Sequence, residues 1–337
     1  MDIEKLKEDY RNEWSGYQQA LNTALATNNP LLLRINEYII KHSGKELRPM
    51  LSLLAASACG EVNSKNYYCA AVSEMVHTAT LLHDDVSDNG NVRRGAATVK
   101  ALFGDAASVL TGDYWLSRAL KALTEECTLK SLACFTLALG QLSEGELLQM
   151  EKSIELNTTK EDYYTIIDFK TSSLFIAAMK GAVESLDNAP KEYLDAIEAY
   201  AYYLGLAFQI RDDIFDYSPK IDSGKLAGAD ICERKITLPL LLALEAAPEL
   251  ASKEIIKLIE KIDPIAIKLR GGETTQSEKL ILDTVNGFVV RYNGVGLSQK
   301  ELESYVAKAV ESLDILPNSR AKGYLCEIVE YVGKRTY

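Results

Sequence analysis

Leu82-His83-Asp84-Asp85-Val86-Ser87-Asp88 and Ile210-Arg211-Asp212-Asp213-Ile214-Phe215-Asp216 are the two stretches on which the reading of this sequence turns. Each places acidic residues at i, i+1 and i+4. Each follows an apolar run, Ala79-Thr80-Leu81-Leu82 in the first and Leu206-Ala207-Phe208-Gln209-Ile210 in the second. On a helix, residues i and i+4 project from one face, so Asp84 stands beside Asp88 and Asp212 beside Asp216. Like charges at that spacing destabilise a helix. Both clusters also fall near the C-terminal end of a helical stretch, where the macrodipole disfavours anions. A bound cation would remove these costs. All-oxygen donors of this kind suit Mg²⁺, which takes carboxylates together with phosphate oxygens and water. Acidic helix faces are more often solvated surface, but the apolar flanks of both copies argue against that here.

Outward from these stretches the pattern stays helical. Apolar residues recur with a period near 3.6 from Ile3 to Leu25. Asn28-Asn29-Pro30 punctuates this run, and Leu31–Ile40 follows, with Pro30 suited to a first helical turn. Ser43-Gly44 ends that helix, and the Leu- and Ala-rich Leu47–Ala58 comes next. Asn66–Val86 reads as one long helix stopped by Asn89-Gly90-Asn91. Further helices fit Ala106–Leu123, Leu129–Met150, Thr159–Phe169, Ser172–Val183, Pro190–Tyr217, Leu238–Ala247, Ser252–Ile262, Gln276–Tyr292 and Gln299–Leu313. Alternating β-branched runs are nearly absent. The longest irregular stretch, Ser218–Lys235, carries Pro219, Gly224 and Gly228 and suits a flap over a site. No low-complexity linker interrupts the chain, so residues 1–337 are expected to form one all-α domain.

The whole-chain composition narrows the function. The 337 residues are 47% apolar and 25% charged, enough for a sizeable core. The net charge of −11 argues against a nucleic-acid partner, which needs a basic footprint. It leaves phosphorylated small molecules open, because metal ions and a few cations reverse the sign within one cleft. Six scattered Cys without C-x-x-C spacing and only three His make a zinc site a poor fit. No apolar stretch reaches the roughly 18 residues of a transmembrane helix. The charged, amphipathic start Met1–Lys7 is no signal peptide, so a soluble, cytoplasmic protein is expected.

Basic residues accompany the acids. Lys45 and Arg48 lie in Gly44-Lys45-Glu46-Leu47-Arg48-Pro49, and Arg93-Arg94-Gly95 follows the first cluster after a short turn. Lys170-Thr171-Ser172, Lys225 and Lys235 come later. Singly, each is ordinary surface charge. Together with two acidic helices they suggest two kinds of anion site, one bridged by metal and one bound directly by Arg and Lys.

With these segments in this order, the chain resembles the polyprenyl synthetase family, the trans-isoprenyl diphosphate synthases. Five motifs carry the resemblance: Gly44–Pro49; His77–Asp88 with Arg93-Arg94-Gly95; Lys170-Thr171-Ser172; Phe208–Asp213; and Lys235-Ile236-Thr237-Leu238-Pro239. The resemblance implies an all-α isoprenoid synthase bundle around a deep central cavity, usually a homodimer. It implies three Mg²⁺ ions, two held by Asp84 and Asp88 and the third by Asp212 from the facing wall. Asp85, Asp213 and Asp216 complete the two metal motifs. Arg93, Lys170, Lys225 and Lys235 would bind an allylic diphosphate of the farnesyl or geranyl type. Lys45, Arg48, His77 and Arg94 would bind isopentenyl diphosphate without metal, and Thr171 and Gln209 would lie beside the developing cation. Two positions depart from the family pattern: Ser43 stands where a first Gly is common, and Arg234 stands where Gly commonly precedes Lys235. Both bear on local loop geometry.

The implied reaction is a head-to-tail condensation. Ionisation of the allylic C–O bond leaves a carbocation that needs a dry cavity, and the leaving diphosphate needs electrostatic stabilisation. The proton lost at the end can go to the released diphosphate, which suits a chain poor in His. In this family the residues just before the first acidic cluster form the floor that limits chain growth. Here Ala79 and Thr80 are small, and Met75 lies one turn, about 5.4 Å, deeper than Ala79. That predicts a product longer than geranylgeranyl diphosphate, as in bacterial octaprenyl-type synthases that make quinone side chains. A farnesyl or geranylgeranyl diphosphate synthase is the alternative. A terpene cyclase usually carries Asn and Ser in its second metal motif. A helical metal-dependent phosphohydrolase needs more His than this chain has. A non-catalytic partner subunit usually lacks some of the acidic or basic motif residues present here.

Overall fold

Tyr10 divides the first predicted helix. The stretch from Ile3 forms α1 (Ile3–Asp9) and α2 (Arg11–Ala24), with the Tyr10 ring packed edge-on against Tyr324 at 6.1 Å. The computed structural model describes residues 3–217 and 228–335, whose regular elements are all helices apart from one small hairpin. The chain separates into two compact units, Met1–Leu139 with Leu174–Ala201 and Ser312–Glu327, and Gly140–Ser173 with Tyr202–Glu311 and Ile328–Tyr337.

In the first unit, Asn29 accepts from the Leu31 and Leu32 amides and Pro30 opens α3 (Pro30–Lys41), the arrangement the Asn-Pro pair predicts. Next come α4 (Leu47–Cys59) and α5 (Ser64–Ser87). A capping box of Asn63 and Asn66 starts α5, and the Asn66 amide also donates to the Ala182 carbonyl at 2.7 Å. From Cys69 to Val76 every α5 residue is buried, so this helix is the axis of its unit rather than a surface helix. It ends where Asn89-Gly90-Asn91 predicts: Asn89 takes φ +55 and the Gly90 amide returns to the Asp85 carbonyl at 2.8 Å. A two-residue hairpin, β1 (Val92–Arg93) and β2 (Ala96–Ala97), follows, then α6 (Val99–Phe103) and α7 (Asp105–Glu126). Helix α7 packs along α5 and buries Ser108, Thr111, Trp115, Ala119 and Ala122. The buried Trp115 indole donates to Asn36, whose amide donates to Leu25, so these interior polar groups are satisfied.

Helix α8 (Leu129–Glu155) runs a turn beyond the predicted end at Met150. The second unit holds α9 (Lys160–Ile167), which continues without a break through a π turn, Asp168–Ser172, into α10 (Ser173–Val183). The expected interruption between Phe169 and Ser172 is therefore a widened helical turn. Helix α11 (Lys191–Asp216) carries the second acidic cluster at its end. The expected irregular stretch Ser218–Lys235 needs correction in its later part, which holds α12 (Ala229–Cys232); residues 218–227, with Lys225, lie outside the described residues. Helices α13 (Leu238–Ala246), α14 (Glu249–Ile259), α15 (Pro264–Leu269), α16 (Gln276–Arg291), α17 (Gly294–Ser312) and α18 (Arg320–Lys334) complete the chain. No described helix is long and apolar enough to cross a membrane.

Candidate active site

The first unit gathers one set of site residues at the end of α5. Asp84 is half-buried and Asp88, the residue that ends the helix, is exposed. The Asp88 amide bonds the Asp84 carbonyl at 2.7 Å, so the last turn is intact and both carboxylates stand one turn apart. Asp85 behaves differently. It is buried, and its carboxylate takes a bond from Arg93 Nε at 2.9 Å. The hairpin brings Arg93 there. Its turn residues Arg94 and Gly95 take φ +53 and +75, the left-handed pair that tight two-residue hairpins need. Gly supplies the second value freely, whereas Arg94 holds the first against its side-chain preference.

Arg94 lies against Gly44 and donates to the Ser43 carbonyl, which joins the hairpin to the segment carrying Lys45 and Arg48. Gly44 itself takes φ +81, while Ser43 adopts an ordinary backbone, so the missing first Gly costs nothing locally. Arg48 stacks over Phe175 at 4.6 Å. His77 sits within reach of Arg48, Arg94 and Arg93. Burial first, and then those three cations, hold its imidazole well below its ordinary value, so it is neutral near pH 7 and offers a hydrogen bond, not a charge. Lys45 is exposed at the rim. The structure thus brings together Arg48, His77, Arg93 and Arg94. Met75 and Ala79 are buried on α5, and the Thr80 hydroxyl bonds back to the His77 carbonyl.

The second unit holds the other set around a cavity of about 230 Å³. Lys170, Thr171, Gln209, Asp213 and Lys235 line it. Lys170 and Thr171 project from the π turn, a widening that often marks functional positions. Gly205 makes this possible: a Cβ there would come 2.5 Å from the Ser172 Cα. A chain of bonds fixes the polar wall. Thr171 donates to Gln209 Oε1 at 2.8 Å, Gln209 Nε2 donates to Asp213 at 2.9 Å, and the Tyr163 hydroxyl donates to the other Asp213 oxygen at 2.6 Å. Burial pushes the Asp213 carboxyl up to about 7, against the pull of those two donors. Lys170 bonds Gln149 and pairs with Glu146.

The other two acids of this cluster have separate neighbours. Asp212 pairs with Arg335, whose guanidinium also lies 4.3 Å from the Phe208 ring centre. Asp216 accepts from the Ala229 and Asp230 amides at 3.0 and 3.1 Å and so caps α12. Lys235 pairs with Glu233. Arg234 answers the second departure from the family pattern. It takes φ +57, the conformation Gly would favour, and its guanidinium is anchored on the Ile262 and Glu260 carbonyls. Sequence reading missed Tyr163, Gln149, Asp230 and Arg335. Only Asp230 had a local signal, as an acid five residues before Lys235.

Comparison with known proteins gives the family. Residues 29–266 match the polyprenyl synthetase family model, and the chain belongs to that family. The all-trans-nonaprenyl-diphosphate synthase (geranyl-diphosphate specific) of Rhodobacter capsulatus is 35% identical over 309 residues, 91% of this chain and 90% of that protein. The octaprenyl diphosphate synthase of Escherichia coli (strain K12) is 34% identical over 320 residues, 95% and 94%. A crystal structure of polyprenyl synthase from Caulobacter crescentus CB15, complexed with calcium and isoprenyl diphosphate, superposes with a TM-score of 0.85 at 30% identity, covering 100% of this chain and 98% of that one. The fold is the all-α isoprenoid synthase fold, and the chain is a trans-prenyltransferase that makes prenyl diphosphates. Relatives of similar identity carry short-chain as well as long-chain names, so family membership alone does not set product length.

The family depends on Mg²⁺. The donors fit that ion: Asp84, Asp88 and Asp212 offer only carboxylate oxygens and none is fully buried, while Asp85 and Asp213 are buried among protein donors.

Proposed function

We propose that the chain condenses isopentenyl diphosphate with a geranyl- or farnesyl-type allylic diphosphate and extends the product beyond geranylgeranyl length, in the manner of octaprenyl-type synthases. The observation that carries this reading is the split within each acidic motif. In each motif the middle carboxylate turns inward to brace the site, while Asp84, Asp88 and Asp212 stay wholly or partly accessible to solvent at the helix ends.

Asp84 and Asp88 hold two Mg²⁺ and Asp212 a third. When bound, these ions supply Lewis-acid stabilisation of the leaving diphosphate. Arg93, Lys170 and Lys235 bind the same diphosphate directly, with Lys225 as a further candidate from outside the described residues. Asp85 orients Arg93, and Asp216 orients the segment that leads to Lys235. Lys45, Arg48, Arg94 and the neutral His77 bind isopentenyl diphosphate. The Thr171 hydroxyl donates its hydrogen bond to Gln209, which leaves its oxygen lone pairs to stabilise an adjacent carbocation without attacking it. The final proton goes to the released diphosphate. Ala79, small and buried one turn before Asp84, leaves the growing chain room that an aromatic side chain would take. The active form is a homodimer. Leu110 and Leu137, 66% and 64% exposed on α7 and α8, belong to the face a second copy would cover.

Incubating the protein with labelled isopentenyl diphosphate, an allylic primer and Mg²⁺ tests the reading. Label should pass into an elongated prenyl diphosphate, and chelation with EDTA should stop it. Diphosphate release without any elongated product would contradict it.

A further inference from the structure

Cys69 and Cys127 lie outside both sets of site residues. Cys69 is fully buried in the early part of α5, and Cys127, the residue that ends α7, is partly exposed. They are 58 residues apart in sequence, yet their Sγ atoms are 3.7 Å apart. Polar groups surround the pair. Cys69 Sγ is 3.2 Å from Ser185 Oγ and 3.5 Å from the Gly181 carbonyl. Ser185 Oγ is in turn 2.7 Å from Ser131 Oγ, and Cys127 Sγ is 3.8 Å from the Lys65 carbonyl. The remaining wall is apolar, with the small Ala56 and Ala182 next to Val62 and Leu186. The contact with Cys127, then the hydroxyls of Ser185 and Ser131, pull the Cys69 thiol below its ordinary value despite its burial. The same contact raises Cys127. The thiolate is the nucleophile in disulfide chemistry, so the buried sulfur is the one prepared to attack its neighbour.

We propose that Cys69 and Cys127 form a redox modification site, a dithiol that closes to an intramolecular disulfide on exposure to a small disulfide oxidant. The partly exposed Cys127 exchanges first. As its Sγ attacks one sulfur of the oxidant it passes its proton to Cys69 Sγ across their contact, a mixed disulfide forms, and one small thiolate leaves and takes up a proton from solvent. Cys69 Sγ, already in contact, then attacks Cys127 Sγ. The Cys69–Cys127 bond forms, the mixed disulfide breaks, and the second small thiol leaves. The protein loses two hydrogens and the oxidant is reduced to two thiols. Closing the gap to a bonded distance of about 2.0 Å needs a swing of the two side chains. The bond ties the early part of α5 to the end of α7. Asp84 lies about 22 Å farther along α5, so the acidic cluster is not part of the modified site.

The test uses the folded, full-length protein incubated with oxidised glutathione, followed by alkylation, digestion and mass spectrometry. The expected result is a peptide pair joined through Cys69 and Cys127, an intact mass lower by two hydrogens, and reversal by dithiothreitol. Cys69→Ser should instead hold a stable glutathione adduct on Cys127, because the resolving thiol is gone. An unmodified protein, an unresolved adduct on Cys127 in the native sequence, or disulfides pairing other cysteines would each overturn the proposal. Peptide mapping of the native chain decides the matter even if the variant fails to fold.

Discussion

Within each acidic cluster, neighbouring carboxylates do different work. A residue at i+1 lies about 100° around the helix from residue i. Asp85 and Asp213 are therefore carried inward, where Arg93 meets one and Tyr163 with Gln209 meets the other. Asp84 and Asp88 keep the open face. Replacing Asp84 by Ala should lower turnover by roughly 100-fold or more. It should leave the thermal midpoint close to wild type, because the change also relieves like-charge crowding at a helix end. A variant that keeps its rate would remove the metal role from Asp84. The acidic spacing was legible because it is local. The Tyr163–Asp213 bond was not, since its partners are 50 residues apart and only packing joins them.

Among the elements, the π turn at Asp168–Ser172 shapes the second half of the site most directly. Gly205 admits it by letting α11 approach the Ser172 backbone. Gly205→Ala gains helix propensity worth about 1 kcal/mol, but the added methyl meets backbone that cannot move away freely. The net effect should be destabilisation of about 1–2 kcal/mol in denaturant unfolding, with reduced turnover as Lys170 and Thr171 shift. Equal or higher stability would show that the close approach is not tight. The long helices were legible from their 3.6-residue period and their stops. Two of the remaining helices were hidden for physical reasons. Helix α12 has four residues and takes its N-terminal cap from Asp216, thirteen residues upstream. In α18, Ala321, Leu325, Ile328, Val329 and Val332 are buried at helical spacing, but Gly323 and the charged residues between them obscure the run.

For the molecule as a whole, the first unit hides a charged group that sets its response to pH. Glu74 is buried on α5, and burial, then the nearby Glu46, push its carboxyl up to about 7 against Arg48, Arg94 and Lys7. Because the folded value exceeds the unfolded one near 4.5, the fold binds a proton in that window that the unfolded chain lacks. The resulting stability is fully present below about 4.5 and is lost as pH rises through about 7. Glu74→Gln should therefore be more stable than wild type at pH 8, on the order of 2 kcal/mol, and equal to it near pH 4.5. Thermal midpoints across that range check this, and parallel curves for the two proteins would refute it. At the same scale, light scattering should report twice the chain mass, and Leu110→Arg combined with Leu137→Arg should reduce it to one. An unchanged mass would move the dimer face elsewhere.

The family, the helical fold and the order of the motifs could all be read from the sequence, but product length rests on one small buried side chain. The most direct measurement is the chain-length distribution of the product made by the native protein and by Ala79→Tyr, run side by side with isopentenyl diphosphate, a farnesyl-type primer and Mg²⁺. The account predicts a native product longer than geranylgeranyl diphosphate and a clearly shorter one from the variant. A native product that stops at geranylgeranyl length, or the same distribution from both proteins, would contradict it.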